Sequence, residues 1–294
     1  MLGREVVGAL RGRGDHVVAL SRDAARARAA LSVDAAEWRA PKEEPAPAEA
    51  LRARDAVFHL LGEPLAQRWS DDAKREIRDS RVLGTRNLVA SLAALPEAER
   101  PRVLVSQSAT GWYGARGSEP LDESAPAADD FLARVVRDWE AEARRAEELG
   151  LRVVTTRTGV VLSRSGGALA KMLPFFKLGL GGPVAGGRQY VPWVHLDDVA
   201  GAQLFCAEAG AASGPVNLTA PEPVTNKDLS RALGRVLRRP AIAPVPALAV
   251  KALYGEMATI VTTGARVVPR RLEELGYRFR RRELEDALRA ATGN

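Results

Sequence analysis

The feature that most constrains this chain is an alternation. Over the first 160 residues, short runs that are nearly all apolar take turns with amphipathic stretches of helical period. The runs predict strands at His16–Leu20, Ala56–Leu61, Val103–Ser106 and Val153–Thr156, and the gaps predict helices over Asp71–Leu95 and Phe131–Leu149. Strands separated by helices argue for a parallel sheet with right-handed crossovers, and unbroken apolar runs suit strands covered on both faces. The expected fold class is α/β, built on a doubly wound parallel sheet.

The first residues show half of such a unit. Leu2, Val6, Val7 and Leu10 fall at helical spacing, and Gly12 and Gly14 stop the run just before the first predicted strand. Pro41–Ala50 is rich in proline and charge and reads as a surface loop. After Val160 the texture changes to glycine-rich turns mixed with apolar stretches, as suits a segment folding over a ligand. "GPVNLTA" is one further strand, and from Arg239 onward proline-bounded helices predict a smaller helical domain. The expected division is a dinucleotide-binding domain over 1–160, to which 196–220 return, with 161–195 and 221–294 on the substrate side.

Composition removes several function classes. With 294 residues, 46% of them apolar, the chain is ample for a sizeable core. No run of eighteen apolar residues exists, so no membrane partner is expected, and no signal peptide is visible at the start. Cys206 is the only cysteine; an internal disulfide is excluded, a small core residue is the expected role, and a reducing cytoplasmic setting fits. The net charge of +6 comes from arginines interleaved with glutamates along helices, the pattern of solvated faces rather than of a nucleic-acid surface. Three widely spaced histidines and one cysteine give no metal-ligand pattern; His16 and His59 fall in predicted strands as core residues.

In an open α/β sheet, ligands bind outside the carboxyl ends of the strands. After the strand at His16–Leu20 comes "SRD". An acidic side chain at this place suits a ribose 2′-hydroxyl, whereas Arg22 suits a 2′-phosphate through a charge-assisted fork, so NADP(H) is expected over NAD(H). The next strand ends in Gly62, which lets backbone approach a cofactor closely.

Three segments in order, "SRVLGTRNLVASL", "PRVLVSQSATGWYG" and "YVPWVHLDDVAGAQL", resemble the extended short-chain dehydrogenase/reductases. Longer ones, among them "LLGEPLAQRWSDDAKREIRDSRVLGTRNLV" and "GEMATIVTTGARVVPRRLEELGYRFR", are similar to an atypical epimerase-family branch with a small C-terminal domain of its own. The likeness runs from Leu2 to about Ala291. It implies a Rossmann-like sheet and cofactor contacts at Gly3, Ser21, Arg22, Leu61, Gly62, Arg157, Thr158 and Gly159. It implies a substrate side at Glu63, Thr110, Lys171, Arg188, Trp193 and His195.

The resemblance departs at the chemistry. Working members carry a Tyr–x–x–x–Lys pair, in which a nearby cation lowers the phenol pKa for proton exchange with substrate. Here no tyrosine and no lysine occurs from Gly114 to Ala170. Ser108 matches the catalytic serine position and reads equally as a turn cap. Tyr113 is the substitute acid, if a cation such as Lys171 or an arginine lies beside it, or else a pocket-lining aromatic. His195 and Asp198 are expected to tie the substrate lid to the dinucleotide domain by hydrogen bonds. Gly181, Gly182, Gly186 and Gly187 lack the G-K-[ST] of a phosphate loop and suggest a turn at the substrate mouth, where Arg188 would meet an anionic group.

Two functions follow as expectations. One is an NADP(H)-dependent oxidoreductase or epimerase-like enzyme, monomer or homodimer, acting on a hydroxyl or carbonyl substrate such as a nucleotide-linked sugar. The other is a non-catalytic NADP(H)-binding sensor or interaction protein. In the resembling family a strand and a G-x-x-G-x-x-G turn stand before the segment that begins "LGREVVGAL", with Gly3 matching only the last glycine. A sheet without that strand is expected to expose central strand edges.

Overall fold

The computed structural model describes residues 1–293. Helix α1 (Leu2–Gly12) comes first and buries Val6 against Ala200 and Leu204. Strand β1 (Val18–Ser21) follows, then α2 (Ala24–Leu31), whose first turn is capped by Asp23 accepting from the Arg26 amide at 2.8 Å. After β2 (Asp34–Glu37) come α3 (Ala48–Leu51) and β3 (Ala56–His59). Helix α4 (Asp71–Ala93) starts at the Ser70 cap and leads to β4 (Val103–Ala109) and the short β5 (Pro120–Leu121). Helix α5 (Phe131–Arg144), capped by Asp130, then leads to β6 (Arg152–Thr158). The helix expected over Phe131–Leu149 ends at Arg144; its last five residues tighten into a 3-10 turn that Gly150 closes at φ 86°.

The second half adds β7 (Val160–Leu162), α6 (Gly167–Lys177), β8 (Tyr190–Val191), β9 (Trp193–His195), α7 (Leu196–Glu208) and β10 (Gly214–Leu218). Beyond these lie β11 (Val224–Thr225), α8 (Asn226–Leu237), α9 (Ala247–Tyr254), α10 (Thr259–Thr262), β12 (Arg266–Val267), α11 (Arg270–Glu274) and α12 (Leu284–Thr292). The main sheet has the order β10-β6-β4-β3, and all three of its pairings are parallel. Its strands are the predicted apolar runs. Leu104, Val105, Val153 and Val154 are wholly or almost wholly buried, each contributing roughly 1.5–3 kcal/mol of apolar transfer. One face meets α4 and α5 through Leu88, Leu92 and Ala143; the other meets α7 through Val199, Ala202 and Cys206. Burial pushes the Cys206 thiol up to about 12, as for a small core residue. Leu162, Phe176, Trp193, Leu233 and Leu288 form a separate core between α6, α8 and α12.

The parallel sheet is divided. Strand β1 pairs with β2 and β3 with β4, but no ladder joins β1 to β3. A cavity of about 1140 Å³ lies between them, lined by Val18–Leu20, by 56–59 and by Gly3, Val6, Val7 and Leu10 of α1. The exposed strand edges anticipated from the sequence are therefore those of β1 and β3. His59 is a buried core histidine, with Nε2 2.8 Å from the Thr85 hydroxyl. His16 is not: it stands on the surface before β1, hydrogen-bonded to Asp34 and Arg54, because the strand begins only at Val18. Among the described residues no helix is long and apolar enough to cross a membrane, and no cluster of metal-ligating side chains occurs.

Candidate functional site

The carboxyl ends of β4, β6 and β10 converge on one buried polar network. Ser108, near the end of β4, is 1% exposed and donates its hydroxyl to Glu140 Oε1 at 2.5 Å. Glu140 reaches this place because it sits on the inward stripe of α5 with Ala133, Val136 and Ala143. Its carboxylate also receives the fork of Arg157 from β6, Nε to Oε1 at 2.8 Å and Nη2 to Oε2 at 2.9 Å. The guanidinium stacks 3.8 Å from the centre of the Trp112 ring and donates Nη1 to the Tyr113 hydroxyl at 3.2 Å. Tyr113 in turn donates to Asn217 Oδ1 on β10 at 2.7 Å. Glu123 accepts from the Asn217 and Arg271 amides, which ties the C-terminal region to the same node.

Burial sets the electrostatics. It would lower the Arg157 pKa, but the Glu140 hydrogen bond and charge outweigh it and hold the guanidinium above its usual value. Burial pushes the Tyr113 phenol up to about 12, although Arg157 pulls the other way. It also raises the Glu123 carboxyl against the amides that donate to it. A proton-exchanging group needs reach to the substrate and a pKa near the working pH. Tyr113, fully buried and with its hydroxyl engaged twice, has neither; nor does its ring line an open pocket. Its cation is an arginine, not Lys171, whose Nζ donates to the Ala66 carbonyl at 2.9 Å. Ser108 and Tyr113 are brought together, but they face inward.

The other expected contacts divide into two groups. Arg157 is turned into the network, and Thr158 donates to the Thr156 carbonyl. Gly159 is held by close approach, since a Cβ there would stand 2.0 Å from the Pro192 carbonyl oxygen. Trp193 is buried and donates to the Glu222 carbonyl. His195 caps α7, accepting from the Asp197 amide at 3.2 Å, and burial lowers its pKa. Beside it, buried Asp198 accepts from the Arg280 and Arg281 amides and the Tyr277 hydroxyl, anchoring the C-terminal segment on α7.

The second group is accessible. Ser21 ends β1, and its hydroxyl accepts from the Asp23 amide. Arg22 is exposed, and no hydrogen bond or ion pair holds it among the described residues. Gly3 lies in the first turn of α1, where the early amides have no side-chain cap. Leu61 is half-buried, and Gly62 is exposed above Arg81. Glu63 is strapped to α4 by its amide, which the Ser80 hydroxyl accepts, and by its carbonyl, which accepts from Arg81. Thr110 opens the 3-10 turn to Tyr113, and Arg188 is exposed just after the 3-10 turn Ala185–Gly187. An unpaired guanidinium at the end of β1 and uncapped amides in α1 fit the phosphates of a dinucleotide.

Sequence reasoning missed Glu140, Glu123, Asn217 and Arg81. Glu140 had a signal, a carboxylate at 140 on the apolar stripe 133–136–143. Asn217 had a weaker one, a polar residue within the strand "GPVNLTA".

Comparison with known proteins agrees with this geometry. The model of the NAD dependent epimerase/dehydratase family matches residues 1–219, and that of a domain of unknown function (DUF1731) matches 245–291. The chain is 39% identical over 294 residues to epimerase family protein Mb2239 of Mycobacterium bovis, covering 99% of this chain and 94% of the relative. It is 43% identical over 235 residues to the chloroplastic epimerase family protein SDR39U1 homolog of Arabidopsis thaliana, covering 80% and 67%. The crystal structure of human epimerase family protein SDR39U1 (isoform 2) with NADPH superposes with a TM-score of 0.89 at 32% identity, covering 100% of this chain and 96% of that one. MoeE5 in complex with UDP-glucose and NAD shares the fold alone, with a TM-score of 0.73 at 20% identity over 99% of this chain and 94% of its own. The parallel sheet, the Rossmann-like likeness across the whole chain and the two matched regions together make this chain a member of the NAD dependent epimerase/dehydratase family.

Proposed function

We propose that the protein binds NADP(H) across the carboxyl edge of its sheet and uses it as an oxidoreductase or epimerase-like enzyme on a hydroxyl or carbonyl substrate. Residues 1–160 with 196–220 hold the cofactor in this reading, and 161–195 with 221–294 form the substrate side. The observation that carries it is Arg22, an exposed arginine at the end of β1 without a carboxylate partner. The NADPH in the human relative's crystal structure supports the same cofactor. Arg22 would fork onto the 2′-phosphate, and Gly3 with the first amides of α1 would accept the diphosphate. When bound, the nicotinamide supplies or accepts a hydride. Nucleotide-linked sugars are one substrate class to screen, given the fold shared with the UDP-glucose complex.

The inward-facing hydroxyls of Ser108 and Tyr113 favour a second reading, a non-catalytic NADP(H)-binding sensor or interaction protein. Fluorescence titration with NADPH and NADH, followed by mass spectrometry of cofactor exposed to a carbonyl panel, separates the two. We expect NADPH to bind more tightly than NADH, and Arg22→Ala to weaken NADPH by roughly tenfold or more while leaving NADH unchanged. Equal affinities in the parent chain would overturn the cofactor assignment; tight binding with no oxidation across the panel would select the sensor.

A further inference from the structure

Two arginines of the sheet–helix core are taken out of water, and they are treated differently. Arg157 is closed by the Glu140 carboxylate. Arg81, on α4, has no carboxylate within 4.0 Å among the described residues. Its Nη1 donates to the Ile77 carbonyl at 2.9 Å and its Nη2 to the Glu63 carbonyl at 3.0 Å, while Nε has no protein acceptor. Burial pulls this guanidinium down to about 10, and the Glu63 charge compensates only in part. The cation lies 5.4 Å from the ring of Trp139, whose buried indole N–H also lacks an acceptor. The locality holds donors in excess.

The way in is Gly62. This residue is exposed, and it is not among the glycines with positive φ, so its conformation does not call for glycine. A Cβ there would stand 3.0 Å from Arg81 Nη2 and 3.4 Å from Nε. The space that glycine leaves is thus within hydrogen-bonding distance of two guanidinium nitrogens, at the carboxyl edge of β3.

We propose that Gly62 and Arg81 form an anion-binding site that takes a carboxylate or phosphate oxygen of the substrate, accepted from Nη2 and Nε through the Gly62 opening. The site stands on its own geometry; its assignment to substrate rests on the oxidoreductase reading. A buried cation without a partner is costly, and an arriving oxyanion relieves that cost with charge-assisted hydrogen bonds.

The test uses the full chain with Arg22→Ala as background, so that the adenosine side does not contribute. Inorganic phosphate is titrated at constant ionic strength, by calorimetry and by the rise in Tm, with and without Gly62→Ala or Arg81→Gln. Gly62→Ala fills the opening and leaves the arginine in place, so it remains informative if Arg81→Gln folds poorly. We expect each variant to weaken phosphate by about tenfold to a hundredfold. In the parent chain carrying Arg22, Gly62→Ala should change the NADPH affinity less than about twofold, well short of one lost hydrogen bond. Phosphate binding unchanged in Gly62→Ala would overturn the site. Loss of NADPH affinity in step with phosphate would overturn the substrate assignment and give the anion to the cofactor. An absence of NADPH binding in the parent chain, with phosphate still lost in both variants, would defeat the oxidoreductase reading and leave the site standing.

Discussion

Glu140 holds two groups that have no other strong acceptor, and its removal is the sharpest test of the buried node. Glu140→Gln keeps the volume but takes away the charge facing Arg157 and one carboxylate oxygen from the Ser108–Arg157 pair of donors. Removing one partner of a buried ion pair costs about 3–5 kcal/mol, because the surviving charge stays desolvated. At about 2–4 °C per kcal/mol for a chain of this size class, the Tm should fall by roughly 8–16 °C. The companion is Arg157→Met, and then both changes together. With both charges gone nothing is left unpaired, so the double variant should be more stable than the summed single effects by at least about 2 kcal/mol. Urea unfolding read by two probes gives these differences, provided that the probes coincide. Single changes below about 1 kcal/mol, or strictly additive ones, would refute the argument that this network holds the strand ends together.

Acid should act on His59. Burial lowers its pKa to about 4, so the folded state binds its proton less readily than the unfolded state does, near 6.5. The stability it supports is complete above pH 6.5 and is lost as pH falls from there towards 4, by about 3 kcal/mol in all. Unfolding curves of the parent and His59→Gln across that range should differ in slope, and parallel curves would argue against it. Gly159→Ala should lower the Tm by roughly 2–10 °C through overpacking against the Pro192 carbonyl, and an unchanged melting curve would show that the backbone yields there.

The elements that carry the sheet were legible because strands buried on both faces have no polar alternation to obscure them; Val103–Ala109 and Arg152–Thr158 each extend past the predicted apolar run by polar residues that only tertiary contact explains. Those added residues, Ser108 and Arg157, are members of the buried node. Their partners lie 32 and 17 residues away in the chain for Glu140 alone, and no local pattern encodes such pairing. Arg81 was invisible for a different reason. An arginine within a polar stretch of α4 reads as a solvated side chain, and its desolvation depends on Trp139, Ile77 and the loop at Glu63 closing round it. Arg22 was legible because its role follows from its place in chain order, at the end of a strand, and needs no partner.

The divided sheet has a consequence for motion. The β1–β2 pair carries Arg22 and shares no ladder hydrogen bond with β3, so side-chain packing through Leu20 and Trp38 and the chain itself fasten it to the main body. Such a unit can open without disturbing the four-stranded sheet, and its amides should exchange with solvent long before those of β4 and β6. Any ligand that touches both parts works against this opening by mass action, by about 2.7 kcal/mol at a concentration of 100 Kd. A dinucleotide lying from Arg22 to the ends of β3 and β4 would be the clasp of the fold as well as its cargo.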